Sequence, residues 1–226
     1  MGVAMERGET VRAFVVVACG VVAVALCPEA QSQQSININA DLLAAVRQGN
    51  IPAVQARLDQ GAAVNSRNRL GDSALLMAAK SGDTAMALLL VRRGAMVDQR
   101  NLSGVSPLMA AAFNGDAELA RALLAKGADL TPVDRVKKTA AIYAAGNGHA
   151  EVLAMLLDAG VPVNQRYDND LTALMWAAAY GHDAAVKLLL ARGADVSARD
   201  NRGKQAADMA AEGGHRATLE LLKSKG

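Results

Sequence analysis

GVSPLMAAAFNGDAELARALLAKGADL, residues 104–130, reads as two short helices with the glycine that ends each of them. Ser106 can accept a bond from the free N–H groups of a helix start. Pro107 then stands at the first helical position, where its missing N–H costs nothing. An apolar run with the pair Ala111-Ala112 follows, and Gly115 supplies the left-handed residue that stops it. A second run carries Leu123-Leu124 and stops at Gly127.

The same pattern returns every 33 residues. Gly82, Gly115, Gly148, Gly181 and Gly214 form one series, and Gly61, Gly94, Gly127, Gly160 and Gly193 a second. Gly71, Gly104 and Gly203 fit a third, which Lys137 and Asp170 interrupt. Each unit opens on a small polar residue (Ser73, Ser106, Thr139, Thr172) or on Gln205. Alanine pairs at 78–79, 111–112, 144–145, 177–178 and 210–211 let first helices approach closely, and Leu90-Val91, Leu123-Leu124, Leu156-Leu157 and Leu189-Leu190 give second helices an apolar face. Such internal periodicity is the signature of a stacked solenoid.

Residues 104–130 and LTALMWAAAYGHDAAVKLLLARGADV (171–196) resemble the ankyrin repeat, whose signature is T-P-L-H-x-A at this period. The resemblance implies an all-α solenoid of antiparallel helix pairs with protruding β-turn fingers. It divides the chain into an N-terminal capping unit at 36–68, repeats at 69–101, 102–134, 135–167 and 168–200, and a C-terminal cap at 201–226. Solenoid ends turn polar where no neighbour follows. Here Lys223 and Asp208 replace apolar residues of the other repeats, and Gln55 and Arg57 wet the first unit's outer helix.

Composition agrees with packed small helices. Apolar residues are 52% of the 226 but aromatics only 3%, which argues against a β-sandwich or barrel. The net charge of +2 is too small to imply nucleic acid. At the N-terminus, Ala13 to Leu26 is an uncharged run of 14 residues, short of the roughly 20 a membrane span wants. With Ala30-Gln31-Ser32 after it, the segment reads as a signal peptide over 1–32, followed by a polar linker at 33–38 and the repeat domain at 39–226. An uncleaved anchor is the alternative. Both cysteines, Cys19 and Cys27, lie in that segment, so the mature chain needs no disulfide. Periplasmic or secreted localisation follows, with no membrane span after cleavage.

Catalytic chemistry does not emerge. No nucleophile motif, phosphate loop or paired zinc ligands occur, so neither an enzyme nor a cofactor is expected. His149, His182 and His215 are 33 apart; helices 8–10 Å apart cannot bring equivalent atoms to one zinc, and the resemblance makes these histidines loop braces. Asp168 and Asp170 read as solvated turn residues, and Tyr143 and Trp176 as core. Arg67, Arg100, Arg166 and Arg199 form a column with acidic or amide neighbours, which reads as a locally paired face rather than a nucleic-acid site.

The resemblance puts binding on the finger tips and exposed ends of the first helices. By position that selects Leu102, Val105, Phe113, Asn114, Arg135, Lys138, Leu171, Tyr180 and Arg202, with Leu70, Asp72, Val136 and Lys204 beside them. Phe113 and Tyr180 are the sharpest, being aromatics without an evident core role. The expected function is a monomeric, non-enzymatic protein-binding module of the exported bacterial type, serving stress defence or toxin immunity. The alternative is a passive envelope scaffold whose basic fingers meet an anionic polymer. Repeat 135–167 is expected to be the least regular, because Lys137 takes a glycine's place beside Arg135 and Lys138.

Overall fold

The computed structural model describes residues 37–224 in full, and the backbone of Phe14–Ala18, Val21–Ala25 and residues 28–36. Ten helices pair inner with outer after the first unit: α3 (Ala74–Ser81) with α4 (Thr84–Arg92), α5 (Pro107–Asn114) with α6 (Ala117–Ala125), and α7 (Ala140–Gly146) with α8 (Ala150–Asp158). The series continues with α9 (Ala173–Ala179) and α10 (Asp183–Ala191), then α11 (Ala206–Glu212) and α12 (Arg216–Lys223). The first unit packs α1 (Pro28–Arg47) on α2 (Ile51–Asp59). Inner helices stack on inner helices and outer on outer along the array, which is an all-α solenoid.

The inner layer rests on the alanine pairs. Every member but Ala211, at the open end, is buried. The outer layer is closed by the fully buried Leu90, Leu123, Leu156 and Leu189. Ser73, Ser106, Thr139 and Thr172 each accept the backbone N–H three residues on, at 3.2–3.4 Å. The terminal units are wet as expected, with Gln55, Asp208 and Lys223 exposed.

One expectation near the N-terminus meets a different structure. The polar stretch 33–38 is not a linker but part of α1. Pro28 starts that helix with its φ already set, and no glycine or further proline interrupts it before Gly49, at φ +66. The valine-rich run forms two antiparallel strands, β1 (Phe14–Ala18) and β2 (Val21–Ala25), pairing Phe14 with Ala25 and Ala18 with Val21. Branched residues favour extended backbone. No described helix is long and apolar enough to cross a membrane. The cysteines lie outside the described residues.

The fingers are where regularity breaks. Asn68, Asn101, Asp134 and Asp200 each close their own finger by accepting the amides two and four residues on, at 2.8–3.0 Å. Tyr167 occupies the same position in the fourth finger and has no oxygen near enough to its backbone to do this. That finger instead makes a 3-10 turn over Asp168–Asp170, with Asn169 and Asp170 both at positive φ. The least regular finger therefore opens repeat 168–200, not 135–167. Neighbouring fingers are joined by Leu102 N–H to the Leu70 carbonyl (3.1 Å), Arg135 to Ser103 (3.0 Å) and Asn201 to Asn169 (3.0 Å). Among the described residues no backbone bond joins the third finger to the fourth.

Lys137 does adopt the left-handed conformation expected of it, at φ +61. At the matching Gly71 and Gly104 a Cβ would lie 3.0 Å from backbone of the next finger, whereas at Gly203, with no finger after it, nothing lies within 4 Å. A side chain at 137 is admissible because the fourth finger does not bond back. It still costs about 1–2 kcal/mol of backbone strain. Lys137→Gly is expected to stabilise the protein by about 1 kcal/mol, or ~2–4 °C in Tm for a domain of this size. A lower Tm on calorimetry would show that the lysine side chain contributes more than its backbone costs.

Candidate partner-binding surface

The three histidines are braces. Each Nε2–H donates to a carbonyl at the end of the preceding inner helix: His149 to Phe113 (3.0 Å), His182 to Gly146 (2.9 Å) and His215 to Ala179 (3.1 Å). Carbonyl oxygens only accept, so the proton sits on Nε2. Among the described residues no three His, Cys, Asp or Glu side chains gather as metal ligands would.

Four of the chain's six aromatics converge on one face of α5, α7 and α9, Tyr143 and Trp176 at mid-helix and Phe113 and Tyr180 at the C-terminal ends. Phe113 meets Tyr143 edge-on at 5.6 Å, and Trp176 stacks on Tyr180 at 6.1 Å. Tyr180 stacks in turn on His182 at 6.3 Å, so the brace also holds the ring. Between the two aromatic pairs lies a notch of about 400 Å³, bordered by Tyr143, Trp176, Tyr180 and Gly146. Gly146 stands where the other repeats have Lys80, Phe113, Ala179 and Glu212. The missing side chain opens the notch: a Cβ there would sit 3.6 Å from Trp176 and 4.0 Å from Tyr180.

Charge is placed at the same spot. Lys138 Nζ lies 4.5 Å from the Trp176 ring centre and 5.5 Å from that of Tyr143, a cation–π arrangement over two rings. The Tyr143 hydroxyl donates to the buried Asp134 carboxylate. Burial first, and that bond second, push the phenol well above its ordinary range, so it stays a neutral donor. Asp134 is committed to Tyr143 and to its own finger, and no ion pair among the described residues includes Arg135, Lys137 or Lys138. Elsewhere Lys80 is paired with Asp72, Arg202 with Asp200 and Lys204 with Glu212, whereas Arg69, at the place of Arg135 in the first finger, is in no ion pair among the described residues.

A family model for ankyrin repeats (3 copies) matches residues 42–134 and 131–200. The chain belongs to the ankyrin-repeat family. No curated protein matches it. Ankyrin arrays act as protein-interaction scaffolds, and the helix pairs, fingers and braces described above are the ankyrin architecture unit by unit.

Within these ankyrin units the expected contact residues separate into two groups. Phe113 and Tyr180 are each 54% exposed, Leu102 is 65% exposed, and Leu70, Val136, Arg135 and Arg202 also face solvent. Lys138 is half-buried by the rings beneath it. Val105 and Leu171 are half-buried against the core, and Asp72 is buried, held by Lys80 and Asn101. Asn114 is exposed, yet its amide is spent on the Ala79 carbonyl at 2.9 Å, an inter-repeat tie that Asn147 repeats on Phe113. The arginine column is locally engaged at Arg166, which bonds the Arg199 carbonyl, and at Arg199, which bonds that of Gly203.

Tyr143 and Trp176 pack against the core as expected, and being only half-buried they also wall the notch. Gly146 was the unread signal. It is a glycine at an inner-helix position that carries a side chain in every neighbouring repeat from 69 onward.

Proposed function

We propose that this ankyrin solenoid is a non-enzymatic, monomeric protein-binding module, docking one partner on its inner-helix and finger face. The observation that carries this reading is the notch at Gly146, walled by aromatics and topped by Lys138, which is in no ion pair among the described residues. Aromatics around a small concavity are the usual composition of an interface anchor site. The charge calls for an acidic group beside the apolar residue that enters the notch. An anionic-polymer scaffold fits less well, because Arg166 and Arg199 of the basic column are already bonded within the protein.

Arg135→Glu combined with Lys138→Gln tests the electrostatic half. Association should slow several-fold in low salt, with little change in Tm, since Arg135 is exposed and neither residue is in an ion pair. An unchanged association rate would make the finger purely structural. The apolar run at 13–26 and Ala30-Gln31-Ser32 support the export of this module to the periplasm, where the role we propose for it is stress defence or toxin immunity. Mass spectrometry should find a mature N-terminus near Gln33 in the periplasmic fraction. An intact Met1 or Met5 in membranes would contradict it.

A further inference from the structure

The gap in the finger ladder has a ligand-sized consequence. Where the third and fourth fingers fail to bond, a cavity of about 490 Å³ opens at their bases, on the other side of the third finger from the aromatic notch. Leu130, Val133, Val161 and the half-buried ring of Tyr167 supply apolar wall. Its size and lining are those of small-molecule sites. We propose that this cavity binds a small monocarboxylic acid with an apolar tail, its carboxylate on Lys137.

Successive finger residues serve different sides: Lys138 lies over the rings of the notch, and Lys137 borders the cavity. The Lys137 side chain makes no hydrogen bond or ion pair among the described residues, although its backbone is held in the left-handed region at φ +61. Strain of that kind persists at ligand clamps. Arg166 also borders the cavity but is shared with the Arg199 carbonyl at 3.0 Å and with Asp170 at 3.7 Å. Asp168 borders it as an anion, partly covered by the Asn169 amide at 3.3 Å. One unshared cation therefore remains, which suits a single negative charge. Burial pushes the Tyr167 phenol up, with the Thr139 hydroxyl opposing, so Tyr167 remains a neutral donor beside the carboxylate.

This inference is independent of the concave-face reading. It is tested by titrating the full chain with octanoate, octylamine and octanol while following backbone amide shifts by NMR. Octanoate should saturate, with shifts confined to residues 130–139 and 160–168. Lys137→Gly, which relieves strain and keeps the fold, should weaken octanoate about tenfold, the size of one charged hydrogen bond. Phe113→Ala should leave it unchanged. The proposal is overturned if octanoate does not saturate, if octylamine or octanol binds as tightly, if Lys137→Gly binds equally well, or if the shifts centre on the aromatic notch.

Discussion

Gly115→Ala lowers stability by about 3 kcal/mol, twice or more the loss caused by Gly127→Ala. Both glycines are left-handed, at φ +72 and +77, so an alanine at either place costs about 1–2 kcal/mol in backbone strain. Only at Gly115 is the space taken. A Cβ there would collide with the His149 ring, whereas at Gly127 nothing stands within 4 Å. The imidazole must leave, and its bond to the Phe113 carbonyl goes with it, a further loss of about 1–2 kcal/mol. Urea titration of the two variants measures the difference. Equal losses would mean that the histidine brace contributes nothing to the stacking of repeats.

That brace was legible through the resemblance, which makes the Gly-His pairs at 148–149, 181–182 and 214–215 loop braces. The helix starts, the alanine layer and the polar ends were legible in the residues themselves, since all follow from local rules repeated in register. The fingers were harder. The glycine series flagged Lys137, and the structure keeps it at positive φ, yet the larger departure comes from Tyr167. Its effect lies in a bond not made: Asn68, Asn101, Asp134 and Asp200 each tie two amides, and a phenol in that column cannot. Reading it required comparing a column across repeats. The same holds for the notch, which depends on a missing side chain at Gly146 and on rings of neighbouring helices, Phe113 and Tyr143, meeting at 5.6 Å. The resemblance marked Phe113 and Tyr180 as exposed and their neighbours Tyr143 and Trp176 as core. It carries no information on how far a large ring reaches out of a shallow groove.

Loss of Phe113 and Tyr180 should abolish tight partner binding while barely touching the fold. Each ring is more than half exposed; Phe113 has the edge contact with Tyr143, and Tyr180 the stacks on Trp176 and His182, so truncation removes contacts worth about 0.5–1.5 kcal/mol each. As interface anchors they are worth about 2 kcal/mol or more each, roughly thirtyfold in Kd apiece. Gly146→Leu makes the sharper variant, since it deletes nothing. Its Cβ meets only ordinary van der Waals distances, and leucine is the better helix former by about 1 kcal/mol, so the protein should be as stable as the wild type or more so. The notch, however, is filled. The decisive measurement is the Kd of the partner captured by the full chain, compared between wild type and Gly146→Leu alongside their melting temperatures. The predicted result is an unchanged or raised Tm with affinity reduced at least thirtyfold. Equal affinity for the two proteins would contradict docking at the notch and move the binding surface elsewhere on the solenoid.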